Sequence, residues 1–78
     1  MIGIHNLKPG KVVKAFERAG WENQGQRGSH VKLTKEGSEY ILSIPVHKGK
    51  PIKKGLLLDQ IKKAGLTDEE FMKFYSGK

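Results

Sequence analysis

A chain of 78 residues with 15 Lys and Arg against 8 Asp and Glu carries a net charge of +7, and it contains no cysteine. These figures exclude disulfide or thiolate-metal bracing and leave one small domain, residues 1–78, whose folding removes only about 60% of the unfolded surface from water. The charge points to polyanions, either nucleic acid or acidic protein surfaces. The sequence shows no apolar run of bilayer-spanning length, and Met1 to Leu7 is too short and mixed for a signal peptide, so a reducing cytoplasm is the expected setting.

In chain order, Met1 to Lys8 reads as an extended lead-in, and Pro9 fits the first turn of a helix because its missing N–H has no helical partner there. The helix runs to about Ala19. Val12, Ala15, Phe16 and Ala19 form its apolar stripe, Lys11, Lys14, Glu17 and Arg18 stay outside, and Gly20 is the stop. Trp21 to Gln24 reads as a short strand, Gly25 to Gly28 as a connection, and His30 to Lys35 as a second strand paired with the first. Glu36-Gly37-Ser38 is the next turn. Glu39 to Val46 follows as the most apolar strand, with Tyr40, Leu42, Ile44 and Val46 on one face and Pro45 marking either an edge position or the strand's end. Links this short join antiparallel neighbours, so the three strands form a meander.

A basic loop, His47 to Lys54, leads into a helix over about Lys53 to Ala64, with Leu57, Leu58, Ile61 and Ala64 inward and Gly65 as its stop. Thr67 with Glu70 reads as a capping box and Leu66 with Phe71 as a hydrophobic staple, opening a third helix whose apolar face is Phe71, Phe74 and Tyr75. The order α-β-β-β-α-α belongs to the α+β class, with helices one and two covering one face of the sheet and the other face open.

The chemistry concentrates at Gly28-Ser29-His30-Val31-Lys32-Leu33. Alternation sends Val31 and Leu33 to one face and His30, Lys32 and Thr34 to the other, so an imidazole and an ammonium share the uncovered side. Imidazole titrates near neutral pH and transfers protons, while lysine holds phosphate. RNA carries its own nucleophile, the 2′-hydroxyl, so such a pair suits its cleavage without a metal. The plain alternative is a surface histidine that only bonds its own turn. A turn centred on Gly37 sets His30 opposite Ile44 and leaves His47 three residues further, a candidate second proton-transfer group whose alternative is to shape the loop or contact a protein partner. No His, Asp and Glu trio shows metal-ligand spacing, and His5 has no partner in view. Lys32, Lys48, Lys50, Lys53 and Lys54 are the candidate phosphate clamp, Gly28 allows close backbone approach, and Ser29 either bonds a phosphate or ends the turn. Lys62, Lys63 and Lys73 read as solubilising residues on helix backs, and Trp21 and Tyr40 as core residues rather than base-stacking platforms.

Ala19-Gly20-Trp21, Gly28-Ser29-His30, Pro45-Val46-His47-Lys48-Gly49-Lys50 with Ile52, then Gly55, Leu57, Ile61, Ala64-Gly65-Leu66-Thr67 and Glu70-Phe71 occur in an order and spacing that resemble the HicA (YcfA-like) toxins of toxin–antitoxin pairs. The resemblance spans about Pro9 to Phe74. It implies a double-stranded-RNA-binding-like fold, cofactor-free and metal-independent cleavage of mRNA, neutralisation by a HicB antitoxin, and His30 as the catalytic residue. One departure is Gly25, where relatives often carry arginine; Arg27 or a lysine would then take that part. Two other readings use the same residues: a non-catalytic double-stranded-RNA-binding module on the same basic face, and an adaptor that docks an acidic protein.

Overall fold

The computed structural model describes residues 7–47 and 50–77. Helix α1 (Pro9–Arg18) opens on Pro9 as anticipated, and it buries Val13 in addition to Val12, Ala15 and Phe16, with Ala19 partly covered. It closes with two backbone bonds, Gly20 N–H to the Glu17 carbonyl and Trp21 N–H to the Phe16 carbonyl, both 3.0 Å, which turn Trp21 into the core.

Strands β1 (Glu22–Arg27), β2 (His30–Thr34) and β3 (Leu42–Pro45) form one antiparallel sheet in the order β1-β2-β3, the expected meander. β2 ends at Thr34, one residue short of the sequence reading, and the other two strands differ more in extent. β1 continues through Gly25 to Arg27 where a connection was expected, and β3 begins only at Leu42, so Tyr40 lies outside the sheet and is 54% exposed rather than in the core. Val31, Leu33, Leu42 and Ile44 supply the covered face, and Pro45 sits on an edge strand, where its lack of an N–H breaks no ladder.

Helix α2 (Lys54–Lys63) packs on β3 through Leu57 and Ile61, and repeats the closure of α1 with Gly65 N–H to Lys62 and Leu66 N–H to Ile61. Helix α3 (Asp68–Tyr75) carries the full capping box: Glu70 N–H donates to Thr67 Oγ1 at 3.1 Å, and Thr67 N–H donates to Glu70 Oε1 at 2.9 Å. Met72 joins Phe71 in the core, and α3 lies mainly on α1, where the Phe16 and Phe71 rings stand 5.0 Å apart. α1 itself touches all three strands, so α1 and α2 roof one face of the sheet and the other is free. This arrangement is the α+β, double-stranded-RNA-binding-domain-like fold.

Candidate functional site

The site is built on the β1–β2 hairpin. Arg27 and His30 are paired across a two-residue turn, Gly28-Ser29, and the Gln26 side-chain amide donates to the Gly28 carbonyl at 2.9 Å to brace it. From the other side, Val46 N–H donates to the Ser29 carbonyl at 2.6 Å, tying the turn to the end of β3. His30 is therefore the first residue of a strand held on both flanks, and it is exposed. Alternation along β2 is as read from the sequence: His30 and Lys32 face out, Thr34 is half-buried, Val31 and Leu33 face in.

The β2–β3 register is one residue away from the expected one. His30 stands opposite Pro45, not Ile44, and Lys32 opposite Ser43, because the seven-residue link 35–41 is not centred on Gly37. His47 thus follows Pro45 by two positions rather than three. It is exposed, and its carbonyl accepts from Lys50 N–H at 3.0 Å. Lys48 lies outside the described residues.

Lys50, Lys53 and Lys54 are exposed on the approach to α2, where Ile52 is buried and its N–H donates to the Leu7 carbonyl at 3.1 Å, anchoring the loop. Lys53 is the residue capping α2. Its side chain makes no cap bond and no acid lies in the first turn, whereas α3 has Asp68, Glu69 and Glu70 there. Cations at the positive end of a helix oppose its dipole, so Lys53 and Lys54 are not placed for the stability of α2. The other end of α2, Lys63 to Gly65, lines a cleft with Gly37, Ser38 and Tyr40 at the β2–β3 turn. The N-terminus of α2 therefore lies toward the opposite end of the sheet, the end that carries His30, one layer away from the free face.

Among the described residues the sole ion pair is Lys63 with Asp59, 3.1 Å, within α2. Arg27, Lys32, Lys50, Lys53 and Lys54 consequently meet no carboxylate among those residues, and their charge is available to an outside anion. No three of His, Cys, Asp and Glu among the described residues stand close enough to hold a metal ion, and no helix is long and apolar enough to cross a membrane. The sequence reading placed Arg27 in a loop, as a stand-in for the arginine that relatives often carry at Gly25, and missed its pairing with His30 although it lies three positions before that residue; it missed Gln60 altogether. Gln60 is buried on α2; a polar residue three positions from Leu57, on the apolar stripe, was the sign of it.

Fold and site together define a small, basic α+β protein with a histidine exposed on the free face of its sheet. The family model described as HicA toxin of bacterial toxin-antitoxin matches residues 10–66, most of the chain, and the chain belongs to that family. No curated protein matches it. Membership in a toxin–antitoxin family gives the chain an antitoxin as its counterpart.

Proposed function

We propose that residues 1–78 act as one domain, a cytoplasmic, metal-independent endoribonuclease that cleaves mRNA and is neutralised by a HicB-type antitoxin. The observation that carries this reading is the exposed imidazole of His30, held on both flanks by the sheet on a face it shares with Lys32. In the reaction the 2′-oxygen attacks phosphorus, the bond to the 5′-oxygen breaks, and a 2′,3′-cyclic phosphate and a 5′-hydroxyl result. A base takes the 2′ proton and an acid supplies one to the leaving 5′-oxygen. His30 performs one transfer; His47, just beyond β3, is the candidate for the other. Lys32, Lys48, Lys50, Lys53 and Lys54 hold phosphates, while Gly28 and Ser29 let the RNA backbone approach the turn.

The test is His30→Ala in purified protein. Cleavage falls by about 10²-fold or more, the range for loss of a proton-transfer group, while RNA affinity stays within a few-fold. A non-catalytic double-stranded-RNA-binding module on the same basic face predicts that His30→Ala changes neither.

A further inference from the structure

Residues Gln24 and Gly25 interrupt the regular pairing of β1 with β2. Asn23 stands opposite Leu33 and Gln26 opposite Val31, so two residues of β1 face the single residue Lys32. This is a β-bulge. Gly25 adopts φ +102°, open only to residues without a Cβ at low strain, and its N–H donates to Asn23 Oδ1 at 2.7 Å, which holds the extra residue in place.

The bulge decides which face each end of β1 presents. Trp21, just before the strand, is buried at 4% exposure, on the covered side with Asn23 and Leu33. Arg27 lies six residues later, and an unbroken strand returns every second residue to the same face. Without the extra residue, Arg27 would share the roofed side with Trp21. With it, Arg27 is the direct cross-strand partner of His30 on the free face. Directly opposed residues have Cβ atoms about 5 Å apart, so a guanidinium and an imidazole rise side by side from the lip of the sheet. Arg27 is exposed and meets no carboxylate among the described residues.

From this geometry we infer that Arg27 is a catalytic residue for RNA cleavage, its guanidinium binding the two non-bridging oxygens of the phosphate on which His30 acts, with Asn23 and Gly25 as its positioning residues. The inference rests on the nuclease reading above. Negative charge on those oxygens grows as the 2′-oxygen adds to phosphorus, and a planar fork that meets both oxygens stabilises it in a way a lysine ammonium does not reproduce.

Three variants test this in single-turnover cleavage, alongside affinity for RNA whose 2′-hydroxyls are methylated and so cannot react. Arg27→Ala slows cleavage by about 10²-fold, the effect of removing one preorganised donor from a transition state. Arg27→Lys recovers part of that rate. The exchange Gln26→Arg with Arg27→Gln keeps composition and net charge but moves the guanidinium to the other side of the strand, and it is as slow as Arg27→Ala. Affinity for the methylated RNA drops by much less than the rate in all three. Should the exchanged protein fail to fold, the rate of Arg27→Lys, which keeps the charge in place, decides. Cleavage by the exchanged or Arg27→Ala protein at the normal rate, with His30→Ala inactive, overturns the role of Arg27 and leaves the nuclease reading standing. So does a loss confined to affinity. Unaltered protein that does not cleave RNA, or His30→Ala that cleaves normally, overturns both.

Discussion

The buried side chain of Gln60 on α2 accepts a hydrogen bond from the backbone N–H of Ser43 at 3.1 Å. Ser43 is paired with Lys32 on an edge strand, and the Val46-to-Ser29 bond sets the ladder's phase so that the Ser43 N–H points away from β2. Gln60 thus closes an edge that would otherwise offer a donor to another chain. Gln60→Leu keeps volume but leaves that donor unpaired, and it lowers stability by about 1 to 3 kcal/mol. Urea unfolding measures the loss, and a midpoint equal to that of the unaltered protein would show that water replaces Gln60 without penalty.

The reciprocal bonds between Thr67 and Glu70 fix where α3 starts, and α3 in turn brings Phe71 against Phe16. Thr67→Ala removes the acceptor for the Glu70 N–H and costs about 1 kcal/mol. Glu70→Gln keeps an acceptor for the Thr67 N–H and costs less. Thermal unfolding of the two variants checks the order; a larger loss for Glu70→Gln would mean that its charge beside the helix start outweighs the bond.

What the sequence disclosed and what it withheld follows from which residues bury apolar surface. The helices were legible because Val12, Phe16, Leu57, Ile61 and Phe71 recur at helical spacing between visible caps. β1 was only half legible because every residue of Glu22–Arg27 is exposed, so no alternation marks it and its glycine reads as a turn. The register slipped by one because position 37 was taken as the centre of a link that runs from 35 to 41. Tyr40 has the parity of Leu42 and Ile44 but falls before the strand begins, so it has no neighbour strand to cover it. The exposed place of His30 was legible from its glycine turn and alternation. Its partner Arg27 was not, because the bulge that re-aims it leaves only a single glycine as a trace.

Gly28 has φ +58°, and a Cβ built on it meets nothing within 4 Å, so any penalty for a side chain there lies in the backbone alone. Gly28→Ala lowers stability by about 1 kcal/mol, and Gly28→Asn by less, since asparagine tolerates the left-handed region better. Thermal unfolding separates them. Equal stability of all three would mean that the turn relaxes to another form, which a change in the spectrum of amide shifts at His30 would report.

Lys53 caps α2 with no cap bond, beside Lys54 and with no acid in the first turn. If these ammonium groups hold RNA phosphate, stability and binding make opposite demands on the same position. Lys53→Asp gives the first-turn N–H groups an acceptor and puts a negative charge at the positive end of the helix, raising stability by about 1 kcal/mol. In a domain of this size that lifts the unfolding midpoint by about 4 to 8 °C. The same change removes a phosphate contact, so RNA affinity falls and the slope of log affinity against log salt loses about 0.7 to 0.9. Lys53→Ser supplies the cap without the negative charge, gains less stability, and shows the same loss of slope. Replacing Lys54 as well removes a second contact and takes the total loss of slope to between about 1 and 2. A stabilised Lys53→Asp protein with unchanged affinity and slope would show that the cations before α2 do not touch RNA, and would move the clamp to Lys32 and the free face of the sheet.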